Sequence, residues 1–144
     1  MSDVVLPTTT LLTVTPAPLT VTVVAPHPRH DHFLNDPTHV RAVTPAGLEM
    51  FSQAKNREWI AKGLANTPLG QYLGVDFVIE SVTMSPDEPW RGRLRKGEIS
   101  QADLTQAMRL HNNVIVETSV VLKAIKPASA EAKPRLRAGR PAAP

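Results

Sequence analysis

Hydrophobic residues recur with a helical period in one long stretch of the chain, residues 98–126. Ser100 suits the N-cap of a helix there, and Asp103 three residues later completes a capping box. The apolar positions then alternate four and three residues apart, which predicts a heptad seam that faces a partner helix. Pro127 ends the pattern. The seam, which is the predicted interaction surface, consists of Leu104, Met108, His111, Ile115, Thr118, Leu122 and Ile125.

The second half of this stretch has a second interpretation, because it is rich in β-branched residues that lower helix propensity. Residues 114–122 also alternate as a strand would, with residues 111–113 as a turn before them. The helix is favoured, since the stretch is long for a strand and the seam passes through Asn112 and Asn113 without a break.

A second helix and one strand are predicted ahead of this stretch. Thr44 and Pro45 suit the N-cap and the first position of a helix that ends near residues 66–68. Residues 75–84 alternate apolar and polar positions, which indicates a strand. The predicted fold is mainly α, with two helices, a short strand or hairpin and extended, partly disordered termini. A small α+β fold is the alternative.

Prolines divide the N-terminal part of the chain into short Val/Leu/Thr runs, and each proline removes a donor from a sheet ladder. This pattern predicts an extended arm over residues 1–43 that orders against a partner. An edge strand at residues 19–24 is the alternative. Residues 44–126 then form a small helical domain, and residues 127–144 form a disordered basic Pro/Ala tail.

Composition limits the chemistry of the protein. Hydrophobic residues make up 42% of the 144 positions but aromatic residues only 4%, so a modest aliphatic core is expected. The chain has no cysteine, which excludes disulfides, thiolate metal sites and cysteine nucleophiles. No apolar run approaches the roughly 18 residues that cross a bilayer, and the N-terminus lacks the basic start of a secretory signal peptide. A cytoplasmic location is therefore predicted.

The net charge of +3 comes from the C-terminal tail, which leaves the remainder of the chain electrically balanced. A second basic run begins with an indole and leads into the C-terminal helix. Because guanidinium groups contact phosphates and an indole can stack on a base, a small regulatory nucleic-acid-binding protein that uses this run and the tail is the alternative function. A solvated turn explains the same run, since Asp87 and Glu88 precede it. The run consists of Trp90, Arg91, Arg93, Arg95 and Lys96.

A histidine-rich segment offers imidazole and carboxylate groups that a metal could use. It contains His27, His30, Asp31, His32 and His39. The prolines around it oppose a regular scaffold, so a solvated polar loop is the preferred interpretation, and neither a metal nor another cofactor is predicted. The chain has no nucleophile-elbow or HExxH pattern, and its carboxylates show no pairing typical of acid/base catalysis. The protein is expected not to be an enzyme.

The stretch ISQADLTQAMRLHNNVIVETSVVLKAIK has a polar-capped start, a Gln-containing first turn and a Val/Glu/Thr-rich second half. Together with the Thr/Pro-rich N-terminus and the middle helix, it resembles the inner-rod (needle-adapter) subunits of bacterial type III secretion systems. The resemblance implies export without a cleaved signal peptide and helix-to-helix assembly between the export gate and the needle. The predicted function is a non-enzymatic assembly subunit that acts through its C-terminal helix on protein partners or on copies of itself.

Overall fold

Four antiparallel strands form one sheet in the computed structural model, which describes residues 11–16 and 19–126, with side chains from residue 19 onward. Their order across the sheet is β1-β2-β4-β3, so the last strand in the sequence is central and β3 lies at an edge. The strands are β1 (Leu11–Pro16), β2 (Leu19–Pro26), β3 (Phe77–Pro86) and β4 (Ile115–Ala124).

Short helices occupy the connections between the strands. They are α1 (Asp31–Leu34), α2 (Pro45–Leu48), α3 (Gln53–Ala61), α4 (Leu69–Leu73), α5 (Trp90–Arg95) and α6 (Gln101–Leu110), with a 3-10 turn at Glu49–Phe51 between α2 and α3. Within residues 19–126, no helix has both the length and the apolar character needed to span a bilayer.

The mainly α prediction is wrong, because the long C-terminal stretch is helical only as far as Leu110. The C-cap residue His111 already has extended backbone. Asn113, two residues later, has a φ of 57°, a left-handed conformation that asparagine tolerates better than most residues and that does not continue a helix. Its backbone N–H donates to Arg29 O at 3.0 Å, and its Oδ1 accepts from the Asp31 N–H at 2.9 Å. The β-branched residues that follow form the central strand β4, which gives the small α+β alternative.

Local start signals are confirmed. The side chain of Ser100 accepts from the Asp103 N–H, and the Asp103 carboxylate accepts from the Ser100 N–H, which is a complete capping box. Thr44 caps α2 with Pro45 in its first turn. The predicted middle helix is divided, however, because Ser52 has extended backbone and caps α3 as a separate helix.

The strand predicted over residues 75–84 is confirmed as β3, displaced by two residues. Part of the predicted N-terminal arm lies in the same sheet, since β2 is an internal strand that pairs with β1 on one side and β4 on the other. The boundary at residue 43 therefore does not separate the sheet strands from the helices. The predicted tail, residues 127–144, lies outside the described residues, as do residues 1–10.

Two apolar clusters pack α2, α5 and α6 against one face of the sheet. At one end, α2 contributes Leu48 to a cluster that includes Val23, Val120 and Leu122. At the other end, α5 and α6 supply Trp90, Leu94, Leu104, Ala107 and Met108, which pack with Val114 and Ile115. Ile115 reaches this face because the register between β3 and β4 shifts at Ser85/Pro86.

A fully buried asparagine on α3 connects the 3-10 turn before that helix with α4. Asn56 donates from Nδ2 to Met50 O at 2.9 Å, and its Oδ1 accepts from the Gln71 N–H at 3.2 Å. Gly70 lies so close that a Cβ there would be 2.7 Å from Phe51 O. The 3-10 turn before α3 and the helix α4 are thus held together by one side chain.

Candidate protein-interaction surface

Strand β3 combines an edge position in the sheet with an exposed middle. Residues 81–84 are all exposed, and Val82 and Met84 leave 41% and 36% of their surface in contact with solvent. An edge strand also presents a row of backbone N–H and C=O groups that have no partner strand. Among the strands that the structure describes, β3 pairs with β4 alone, so apolar side chains occur there together with backbone groups that none of these strands pairs.

The regular part of this edge is short and bounded on both sides. Pairing between β3 and β4 shifts register at Ile79/Ser81, where Glu80 is the extra residue, and again at Ser85/Pro86. Glu80 Oε1 lies 3.7 Å from Lys123 Nζ on β4. Bulges and prolines limit edge-to-edge pairing. Residues 81–85 are therefore the part of β3 that is able to accept another strand.

An open apolar groove runs beside this part of the edge, between β3 and α6. Its volume is about 420 Å³. Val82 and Met84 line it from the strand, and the buried residues Leu104 and Ile115 form part of its floor. Its remaining lining residues are Pro86, Leu94, Gln101, Thr105 and Met108. A chain that pairs with the β3 edge would place alternate side chains in or next to this groove.

The residues of the predicted helical seam do not form one surface. Leu104, Ile115, Thr118 and Leu122 are buried within the fold of the chain itself. Met108 is half-buried in the groove, while His111 and Ile125 are exposed at opposite ends of β4. The helix on which the seam depended ends at Leu110. The predicted interaction surface is therefore largely the internal contact between α6, β4 and the rest of the core.

The basic run forms α5 and the residue after it, and most of its cations face carboxylates. Arg91 Nε donates to Glu88 Oε1 at 3.1 Å, and this bond is the main reason that the pKa of Glu88 is lowered. Arg93 Nε and Lys96 Nζ both lie 3.9 Å from Glu98, on different carboxylate oxygens. Three of the four basic side chains thus have an acidic neighbour within the chain.

Trp90, the indole proposed to stack on a base, also has neighbours in the chain. Its ring stacks on His111 with 5.9 Å between centroids and an angle of 24° between planes. The Arg93 guanidinium carbon lies 5.5 Å from the indole centroid, which is a cation–π contact. A base that approached Trp90 would compete with both contacts.

The histidine-rich segment ties two loops together. His30 is buried, and its Nε2 lies 2.9 Å from Asp87 Oδ2, while its Nδ1 accepts from the His32 N–H at 3.1 Å. Both ring nitrogens of His30 are therefore in use. His27 Nδ1 accepts from the Arg29 N–H, and burial, followed by the Arg29 charge, lowers the pKa of His27. Across residues 19–126, no three His, Asp or Glu side chains are arranged to hold a metal ion.

The surface at β3 was not predicted from the sequence. Residues 75–84 were expected to be a strand, but nothing local in them shows which side of the strand would stay open. The available signal was the uncharged run of residues 81–85 with apolar residues at Val82 and Met84. That run is typical of a strand that pairs on both sides, while within residues 11–16 and 19–126 it pairs with β4 alone.

Comparisons with known proteins find no relative for this chain: no family model matches it, and no curated protein or solved structure does. The stretch that resembles inner-rod subunits contains the helix Gln101–Leu110 and the strand Ile115–Ala124 in place of one long helix. The geometry of the surface is therefore the basis for a functional argument.

Proposed function

We propose that this protein is a non-enzymatic assembly protein that binds a protein partner by strand addition at the edge of β3. One observation carries the proposal: the regular, uncharged edge at residues 81–85 exposes Val82 and Met84 beside an open apolar groove. In strand addition, main-chain hydrogen bonds supply affinity and pockets for alternate side chains supply specificity. The β3 edge offers both.

Burial of the exposed apolar surface provides the driving force. Complete burial of a Val or Met side chain is worth about 1.5–3 kcal/mol relative to full exposure, and Val82 and Met84 have roughly two fifths of that surface left to bury. The lining of the groove, which includes Leu94 and Met108, adds to this contribution. An added strand also satisfies backbone groups that water otherwise solvates.

The proposal keeps the assembly role predicted from the sequence and moves its surface from the C-terminal helix to β3. The resemblance to inner-rod subunits gives no further support to a place in a secretion apparatus, because the long helix that carries it ends at Leu110. Nucleic-acid binding through α5 has less support than assembly, since Arg91, Arg93 and Lys96 face Glu88 and Glu98.

A photo-crosslinking residue at the groove tests the proposal in cells that express the chain. Benzoylphenylalanine in place of Met84 is expected to form a covalent adduct with a protein, and the same residue in place of Tyr72 is the control, because Tyr72 is exposed on α4. Peptide mapping should place the adduct on one extended segment of the partner. A synthetic peptide of that segment should bind the wild-type chain.

Val82→Arg completes the test, because it puts a charge at the centre of the groove face. The adduct at position 84 and the binding of the peptide should both be lost, while circular dichroism of the variant stays that of the wild type. Absence of an adduct, or equal adducts at positions 84 and 72, would contradict the proposal.

A further inference from the structure

We infer that the strand added to β3 is β3 of a second copy of this chain, paired antiparallel about a two-fold axis that passes midway between the two Thr83 residues. This inference rests on the proposed function and names its partner. Its basis is the residue pattern of the open edge. Residues 81–85 read Ser-Val-Thr-Met-Ser, so hydroxyl, apolar, hydroxyl, apolar and hydroxyl side chains are symmetric about the central threonine.

Directly opposite residues in an antiparallel pair lie on the same face of the sheet. Within the chain, Val82 lies opposite Val120 and Met84 opposite Thr118, and both β3 residues line the groove. When Thr83 of one copy lies opposite Thr83 of the other, Val82 of each copy lies opposite Met84 of the other. The groove face then contains two apolar pairs, and the opposite face contains pairs of hydroxyl residues.

Neighbouring registers are less favourable. A shift of one residue places Val82 and Met84 of one copy opposite hydroxyl residues of the other, so the apolar faces of the two strands lie on opposite sides of the sheet. An axis at Val82 sets the Glu80 carboxylate opposite Met84, and an axis at Met84 sets Val82 opposite Pro86, which has no N–H to donate. The axis at Thr83 keeps both residues away from Val82 and Met84, because Glu80 and Pro86 then lie opposite each other beyond the ends of residues 81–85. In this register both apolar residues of the segment 81–85, Val82 and Met84, lie opposite an apolar residue of the second copy.

Charge and shape agree with this arrangement. Residues 81–85 carry no charge that pairing would bury. Glu80 lies opposite Pro86 of the second copy, so the two Glu80 carboxylates are at opposite ends of the new pair, each beside Lys123 of its own chain. Met84 of the second copy comes next to Val82 and so extends over the groove, and the contact is reciprocal, as an isologous interface requires.

Disulfide formation between single-cysteine variants tests the register, because the chain has no cysteine of its own. Thr83→Cys should form a dimer on mild oxidation, since directly opposite Cα atoms are about 4.5–5.5 Å apart, which is within the range for a disulfide. Thr22→Cys, on the internal strand β2, is the matched control and should stay monomeric.

A mixture of two variants separates this register from the others. Ser81→Cys alone and Ser85→Cys alone should remain unlinked, whereas an equimolar mixture should give the heterodimer, because Ser81 lies opposite Ser85 of the second copy. Sedimentation equilibrium of the wild-type chain should show a dimer that Val82→Arg converts to a monomer. Unchanged thermal unfolding of Val82→Arg by circular dichroism shows that the variant is folded.

The inference is overturned if the wild-type chain is monomeric at every concentration and Thr83→Cys cross-links no faster than Thr22→Cys. Cross-linking of Ser81→Cys alone, without the mixture, would overturn the Thr83 register. A photo-adduct of position 84 with a different protein would then leave the proposed strand addition intact and replace its partner. If the chain with benzoylphenylalanine at position 84 forms no adduct and the wild-type chain forms no dimer, the proposed function is overturned as well.

Discussion

His30 donates a hydrogen bond from Nε2 to Asp87 Oδ2 over 2.9 Å, and this bond joins the segment after β2 to the turn after β3. The neutral ring carries its proton on Nε2, because its Nδ1 accepts from the His32 N–H. The bond with His30 is the largest cause of a lowered pKa at Asp87, followed by the Glu88 N–H. The two strands that flank β4 are thus tied together by side chains at one end of the sheet.

Asp87→Asn is expected to weaken the fold in a pH-dependent way. A carboxyl group whose pKa is lower in the folded protein stabilises the fold above its unfolded pKa, near 3.8, and this stabilisation is lost as the pH falls through the folded value. At pH 7 the variant should lose about 1–2 kcal/mol in its free energy of unfolding. The difference from the wild type should shrink as the pH falls below about 4.

Urea unfolding across this pH range measures the effect. Asp31→Asn is the control, because it removes a nearby negative charge from α1 and leaves the bond between His30 and Asp87 in place. A difference between wild type and Asp87→Asn that stays constant down to pH 3 would show that the carboxylate charge is not what stabilises this contact.

Arg29→Met is expected to destabilise the end of α6. The Arg29 guanidinium donates from Nη1 to Met108 O at 2.9 Å and to Arg109 O at 3.2 Å, and from Nε to Asn112 Oδ1. Carbonyl groups in the last turn of a helix lack helical partners, so a cation there both satisfies and stabilises them. Methionine keeps most of the aliphatic stem and removes the donors, at a cost of about 1 kcal/mol.

Chemical denaturation of Arg29→Met should show a lower midpoint with an unchanged slope. Arg41→Met is the matched control, since Arg41 is also an exposed arginine in the long connection between β2 and β3. Equal midpoints for the two variants would mean that the contacts with the α6 carbonyls contribute nothing to stability.

Gly70→Ala should destabilise the protein by about 1–3 kcal/mol, because the new methyl group would overpack a rigid site. It would lie 2.7 Å from Phe51 O and 2.9 Å from Asn56 Oδ1. Neither neighbour can move away without disturbing the hydrogen bonds that Asn56 makes with Met50 O and the Gln71 N–H. Gly92→Ala is a useful contrast. Its Cβ would meet only the end of the flexible Glu88 side chain, so thermal unfolding should change much less.

The double variant Arg91→Ala/Arg93→Ala is expected to leave any affinity for nucleic acid unchanged. Both guanidinium groups already face the carboxylates of Glu88 and Glu98, so they have little free charge to offer phosphates. Fluorescence anisotropy with single-stranded and duplex probes over a range of salt concentrations measures this. A marked drop in a salt-dependent affinity would favour α5 as a nucleic-acid contact.

Features that depend on neighbouring residues were predictable from the sequence. Ser100 and Asp103 form the expected capping box because both partners lie within one turn. Thr44 caps α2 for the same reason. The sequence offered a turn at residues 111–113 only as the less favoured interpretation, since the choice depends on Arg29 and Asp31, which are distant in the sequence and hold the turn at Asn113. Periodicity alone allowed a helix and a strand over the same residues.

The β3 surface was beyond local prediction for a different reason. A strand of alternating residues predicts one buried face, but which edge remains unpaired depends on strand order. Here β4 takes the position between β2 and β3, so that Val82 pairs with Val120 on one side and faces none of the described strands on the other. The sequence predicts Ile115 and Leu122 on an external helix face, whereas the structure places them on the central strand of the sheet.

The central position of β4 sets the order in which the protein can be built during synthesis. A ribosome produces β1, β2 and β3 long before β4, and β2 and β3 have no contact in the sheet until β4 lies between them. Pairing of segments so far apart in the chain is slow, because a large loop must close first. Until Ala124 leaves the ribosome, β3 lacks the one described strand with which it pairs in the finished fold. The nascent chain is therefore most exposed to strand pairing with other copies at the very stretch, residues 81–85, that matches itself.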